Sequence, residues 1–353
     1  MRRAGWIAAA ALGAASCLAG IPAHAAASAD TGSILSRHAQ ARGGKDAWKV
    51  VTSLEVTGTQ ISFSVPNPFT LQRQRPNLHR FEQTQLKRPV IEVFDGSHAW
   101  WINGLMGTEW PLAAPEPAAG FIARDAAFDT PLLGHPENGA KVTAFGPEDF
   151  EGQPAWRLEV ELKGGGKETW YLDPATGLEI ARVATTSDFG EIVEKRWYFS
   201  DFRKAGSLVL PHRIETEYGS RNEVLEVKEV RVNPAIDSAR FTQPLPEGMD
   251  VLAGLAGDWN MTIETRAFPR APWQPHQASS VIKTRLANGL LEESYSHVDQ
   301  GQAIDVLRTW SYDRFHKTYR VTQADSIAFQ QIVLQGEMKE GRLVLSNETT
   351  GTS

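Results

Sequence analysis

The sequence predicts a mainly β protein, built as two successive series of antiparallel strands. Three observations carry this. Short runs alternate apolar and polar residues at a period of two. The clearest is Ala155 to Leu162, with Trp156, Leu158, Val160 and Leu162 on one face and Arg157, Glu159 and Glu161 on the other. Turn-forming groups such as Asp95-Gly96, Gly164-Gly165-Gly166 and Asp173-Pro174-Ala175-Thr176-Gly177 separate these runs. Helical spacing is confined to short stretches.

The length of 353 residues exceeds what one ordinary core serves, so two domains are expected. The chain is 41% hydrophobic and 22% charged, a globular composition, and its formal charge of -6 argues against nucleic acid as a partner.

Residues 1–25 read as an export signal. Arg2 and Arg3 precede an apolar stretch from Trp6 to Ile21, and Ala23-His24-Ala25 is a small-x-small cleavage site. The expected location is therefore periplasmic or secreted. Lipid anchoring at Cys17 is the weaker alternative, because the usual Leu three positions earlier is absent. Cys17 is the only cysteine, so cleavage after Ala25 removes disulfides, thiolate chemistry and Cys-based metal sites together.

A short helix is expected from Ser33 to Arg42, stopped by Gly43-Gly44, with a further turn carrying Trp48 inward. Strands follow at Leu54–Ser64, Phe69–Gln74, Leu78–Gln85, Val90–Phe94 and His98–Asn103. The Pro- and Ala-rich stretch Gly104 to Gly146 breaks the pattern and suggests a helix over Glu116–Phe128, with Phe121, Asp125 and Phe128 on one stripe. Strands resume at Ala155–Leu162, Glu168–Leu172, Leu178–Thr185, Ile192–Ser200, Leu208–Tyr218 and Val224–Val232. Residues 243–249 form a Pro-containing linker. Seven further short strands between Trp259 and Asn347 suggest a barrel or sandwich, short of the strand number a closed barrel of this kind normally has.

Residues 33–242 resemble the periplasmic outer-membrane lipoprotein-sorting (LolA-like) family. The resemblance rests on ILSRHAQARGGKDAW, FDGSHAWWI, YLDPATGLEI and YFSDFRKAGSLVLPHRIE, in that order. It implies a strongly curved antiparallel sheet, an unclosed barrel plugged by short helices, with function residing in an apolar cavity and no catalytic residue. Residues 250–353 are similar to lipocalin-like (calycin) domains of unknown function, through LAGLAGDWNMTIE, LANGLLEESYS and WSYDRFHKTYR. This implies a smaller antiparallel barrel or partial barrel, expected to be either a fragment or completed by another chain.

The candidate ligand-binding residues are Trp156, Leu158, Val160, Trp197 and Phe199 on the inner sheet face, with Phe121 at the plug. Arg75, Arg80 and Lys87 are candidate rim residues. Aromatics on alternating strands more often fill a core than line a pocket. No two of the nine histidines, His297 and His316 included, have zinc-ligand spacing. No nucleophile elbow or enclosed carboxylate pair is present. The expectation is an exported, non-catalytic binding protein without cofactor or metal. Its ligand would be a lipid, an acyl chain or another apolar molecule, with a lipoprotein or envelope protein as a further partner. The alternative is a structural or interaction protein with fully packed β domains.

Overall fold

The computed structural model describes residues 30–266, 268–286, 288–328 and 331–347. The expected export signal and Cys17 lie outside the described residues. The protein is mainly β, with two antiparallel sheets and few short helices.

The first sheet has thirteen strands in the order β6-β5-β4-β3-β2-β1-β13-β12-β11-β10-β9-β8-β7. Its first arm runs through β1 (Ser53–Ser62), β2 (Val65–Gln74), β3 (Leu78–Gln85), β4 (Arg88–Phe94), β5 (Ala99–Asn103) and β6 (Thr108–Ala113). Its second arm comprises β7 (Lys141–Phe150), β8 (Gln153–Glu161), β9 (Lys167–Leu172), β10 (Glu179–Asp188), β11 (Glu191–Ala205), β12 (Leu208–Tyr218) and β13 (Arg221–Val232). Pairing of β1 with β13 joins the two arms. At its bulge the register slips between Thr57 and Gly58, where a Cβ on Gly58 would lie 2.1 Å from the Glu226 carbonyl oxygen. Only glycine lets the two backbones approach there.

Strands β6 and β7 were not expected from the sequence. Both lie at sheet edges, where Pro111 and Pro147 cost no ladder hydrogen bond. A register shift between Phe145 and Glu148 further hides the alternation of β7. The intervening helix is α3 (Ala118–Asp125), shorter than expected; α1 (Thr31–Ala41) and α2 (Lys45–Lys49) precede the sheet. Beyond α3 the chain turns, so that Phe128 packs with Trp48 and Leu208 instead of continuing a helical stripe.

Three apolar clusters set the helices on the concave face. Ile34 and Leu35 of α1 pack on Ala144, Leu158, Val160, Trp170 and Leu172 of the β7–β9 arm. Trp48 packs with Val51, Leu54, Phe128 and Leu208. Ile122 and Ala126 pack against Phe94 and Ala99. Beneath α1, Arg42 pairs with the buried Glu179, and His38 Nδ1 lies 3.0 Å from the Gly177 carbonyl. Burial holds the His38 ring below its ordinary pKa, although Glu179 opposes this. On the convex side, Trp100 Nε1 donates to the Phe241 carbonyl at 2.8 Å, clamping the segment after β13 over Ile91 and Val93.

The second sheet has seven strands in sequence order. They are β14 (Gly257–Thr265), β15 (Gln274–Arg285), β16 (Leu290–Asp299), β17 (Gln302–Asp313), β18 (Thr318–Asp325), β19 (Ile332–Lys339) and β20 (Arg342–Ser346). The sheet is a curled half-barrel. Helix α4 (Met249–Ala253) places Met249 and Leu252 against Ile282, Leu291 and Tyr319. Gly248 precedes α4 with φ +76°, and a Cβ there would strike the Tyr312 ring at 2.2 Å.

Candidate functional site: the concave interior of the first sheet

Cross-strand register fixes which residues face inward. Leu158 lies opposite Trp170, Trp170 opposite Arg182, and Arg182 opposite Trp197. Trp197 lies opposite Thr216, and Thr216 opposite Glu223. Directly paired residues share a face, so all six line the concavity. On the first arm the inward set includes Gln60, Phe69, Phe81, Gln83, His79 and Glu92. Phe69 and Phe81 stack with ring centroids 5.6 Å apart.

The interior is divided. Leu158 and Val160 are fully buried beneath α1 and fill a core. Trp156 and Phe199 pack half-buried at the edge of the same cluster, and Phe199 stacks on Trp170 at 6.1 Å. Trp197 is half-buried beyond it, with the Arg182 guanidinium 4.5 Å from its ring centroid. Phe121 on α3 is half-buried, with Arg124 at 5.0 Å. Arg75 and Arg80 are engaged elsewhere. Arg75 forks onto Asp129 at 2.6 and 2.7 Å and caps the Trp48 and Val51 carbonyls; Arg80 donates to the Arg240 carbonyl on the convex side. Lys87 sits exposed in the β3–β4 turn.

Between the apolar clusters lies a set of charges that sequence reasoning did not single out. Arg182 bonds Asp125 of α3 at 3.0 Å and Glu168 of β9 at 2.5 Å. Arg124 donates to the Thr185 carbonyl at 2.6 Å. Arg73 of β2 reaches the Asp125 carbonyl at 3.2 Å and also bonds the Ala127 carbonyl. Helix α3 is thus tied to β2 on one arm and β10 on the other. Burial alone would raise the Asp125 carboxyl, but Arg182 and Arg124 hold it well below the usual range. Burial, with Arg73 nearby, pushes the His79 ring down to about 3.

Glu92 of β4 and Lys195 of β11 come from opposite arms, yet each perturbs the other's ionisation. Arg73 of β2 and Arg182 of β10 both reach Asp125 of α3, so the sheet curls until its two arms flank that helix. Burial raises Glu92 and lowers Lys195, and each partly relieves the other. Among the described residues neither side chain makes a hydrogen bond or ion pair. Lys195 Nζ instead sits 4.5 Å from the Tyr218 ring centroid and 5.2 Å from that of Trp197. Burial pushes the Tyr218 phenol up to about 12, and its hydroxyl donates to Glu223 at 3.1 Å. Gln60 Oε1, Gln83 Oε1, Thr216 Oγ1 and His79 Nδ1 are buried on the inner face with no protein partner. A period-two pattern reports which residues share a face. It could not show that Glu92 and Lys195, about a hundred positions apart, would both face the same curled interior.

The second sheet carries a smaller polar interior. Glu293 is buried and accepts from Ser280 Oγ at 2.8 Å and Trp310 Nε1 at 3.0 Å. The His276 and His297 rings lie 5.8 Å apart beside Thr265 and Asp299. Among the described residues, no group of three or more His, Cys, Asp or Glu is placed to hold a metal ion.

Fold and interior define a class: a β-rich protein whose curled, helix-plugged sheet surrounds a polar-centred interior, followed by a half-barrel. Residues 247–353 match a family described as a protein of unknown function (DUF1579), which spans the second sheet. No curated protein matches the chain. Among solved structures it is similar to a LolA superfamily protein from Nitrosomonas europaea, at 12% identity and TM-score 0.41, covering 61% of this chain and 98% of that one. It is also similar to a DUF1329 family protein from Desulfovibrio piger, at 10% identity and TM-score 0.42, covering 60% and 97%. A chain of the Pseudomonas aeruginosa MucA/MucB complex aligns over 84% of this chain and 93% of its own, at 14% identity and TM-score 0.20. No helix among the described residues is long and apolar enough to cross a membrane.

Proposed function

We propose that the chain is an exported, non-catalytic binding protein that holds an amphipathic ligand in the concavity of its first sheet. The apolar body of the ligand lies against Trp197, Phe199 and Phe121. Its hydrogen-bonding head lies toward Lys195 and the buried polar atoms of the inner face. One observation carries the reading: the Lys195 ammonium on the inner face bonds no carboxylate and lies against the Trp197 and Tyr218 rings, among buried polar atoms that lack protein partners. An unmet buried polar group costs about 1–3 kcal/mol, so a ligand that satisfies several of them gains both affinity and selectivity over a bare hydrocarbon. Leu158, Val160 and Trp156 support this site from the filled side.

The test is direct. The mature chain is purified, extracted with organic solvent and examined by lipid mass spectrometry. Fluorescent fatty acid and fluorescent lysophospholipid are titrated in parallel. The reading expects uptake of at least one probe, reduced about tenfold by Trp197→Ala and also reduced by Lys195→Met. Absence of bound lipid together with no uptake of either probe would rule it out.

A further inference from the structure

The two ends of the first sheet differ in what their turns carry. Neighbouring strands alternate in direction, so the β1–β2, β3–β4, β5–β6 and β10–β11 connections emerge at one end. The opposite end holds α2 and the turn contacts of α1. There Gly43 abuts the β11–β12 turn at Ser207, and His38 meets the β9–β10 turn at Gly177. Turns at that closed end are polar, as in Asp95-Gly96-Ser97 and Gly206-Ser207. At the open end stand Phe63, Leu86, Leu105, Met106 and Phe189, all exposed. Phe63 and Phe189 are each 71% exposed and Leu86 is 66% exposed.

The backbone makes this choice unfavourable. Phe63, Leu86 and Phe189 have φ of 50°, 51° and 48°, the left-handed region that Asn, Asp and Gly enter readily and bulky residues avoid. Turn chemistry asks for Asn-Gly at such sites, and the side chains present stay largely exposed. Large apolar groups at three strained, exposed tips on one rim imply a surface that covers them.

We infer that this rim docks onto an anionic lipid surface. The apolar groups project from four separate hairpins and form no continuous groove, a spacing suited to a fluid surface and not to a shaped protein partner. Cations border them. Lys87 follows Leu86 directly, and Lys163 lies in the β8–β9 turn at the same end; both are exposed, with no ion pair among the described residues. The Arg221 guanidinium lies 4.7 Å from the Phe189 ring centroid and is paired with Asp188 at 3.0 Å, so Lys87 and Lys163 are the cations left for an anionic partner. Scattered apolar side chains edged by Lys and Arg are the chemistry of interfacial attachment to anionic bilayers. Docked in this way, the mouth of the concavity faces the lipid. The inference does not depend on whether the concavity holds a ligand.

The experiment is co-sedimentation of the mature chain with vesicles of phosphatidylethanolamine and phosphatidylglycerol, and with phosphatidylcholine vesicles alone. The wild type binds the anionic vesicles, more weakly at high salt, and binds phosphatidylcholine poorly. Leu86→Asn lowers partitioning about tenfold, and the triple variant Phe63→Asn, Leu86→Asn, Phe189→Asn lowers it at least a hundredfold. Both variants melt no lower than wild type, because Asn suits a left-handed turn. Vesicle binding unchanged in the triple variant overturns the inference. So does absence of wild-type binding, or a wild-type dimer that the triple variant abolishes, which would assign the rim to a second copy of this chain.

Discussion

Arg182 is the residue on which the anchorage of α3 most depends. Its guanidinium joins Asp125 on the helix, at 3.0 Å, to Glu168 on β9, whose side chain is almost fully buried. It also lies over the Trp197 ring at 4.5 Å. Arg182→Met keeps most of the volume but leaves the almost fully buried Glu168, and the partly exposed Asp125, without their shared cation. Breaking a buried pair from one side typically costs about 3–5 kcal/mol. Arg124 still neutralises Asp125, with Nε 2.9 Å from Oδ1, so the low end applies: about 3 kcal/mol. Urea denaturation followed by Trp fluorescence measures this. Hydrogen exchange should show the α3 amides losing protection before those of β8 and β9. Adding Glu168→Gln to Arg182→Met should restore part of the loss, because the buried charge is then gone, with Arg124 Nε only 3.8 Å away as its remaining cation. A loss below about 1 kcal/mol, or a double variant no more stable than the single, would refute this account of the plug.

His79 is held neutral, its ring pushed down to about 3 from an ordinary 6.5. Its contribution is present above pH 6.5 and fades as pH falls toward 3, by at most about 1.4 kcal/mol per unit; His79→Gln should flatten the stability curve over that window. Glu92 is raised by burial, so its contribution is present below the ordinary 4.5 and is lost as pH rises through its folded value. Glu92→Gln should therefore stabilise the protein at neutral pH by about 1 kcal/mol, read as a rise in melting temperature, while weakening probe uptake. Leu158→Ala, at a fully buried core position, should cost about 2–5 kcal/mol without altering probe affinity in the fraction that remains folded. Trp197→Ala should show the reverse pattern, a smaller loss of stability and a larger loss of uptake.

Much of the strand plan was legible because it is local. Ala155–Leu162 alternates so regularly that its buried face could be assigned from the sequence, and Asp173 to Gly177 specifies its turn through Pro174 and Gly177. The edge strands β6 and β7 were not legible, since Pro111, Gly146 and Pro147 imitate loop signals wherever no neighbour needs the missing hydrogen bond. The candidate interior was read as apolar because the aromatics announce themselves. Its charges did not, because an inward Glu92 or Lys195 looks the same in sequence as an outward one until the curvature of the sheet is known. Phe63, Leu86 and Phe189 were also passed over: hydrophobic residues beside a turn read as strand ends, and only their backbone angles show them to be at the tips.

The first sheet has two unjoined margins, β6 and β7, and the chain between them carries α3. In a closed barrel, strand number and stagger fix the diameter, and widening it would break a ladder of backbone hydrogen bonds. Here the circumference has a seam. Its calibre is set by guanidinium contacts from Arg73, Arg124 and Arg182, which can lengthen or re-pair singly while all twelve backbone ladders of the sheet stay whole. Such a structure can vary its girth with what it encloses and leave the fold itself unaltered.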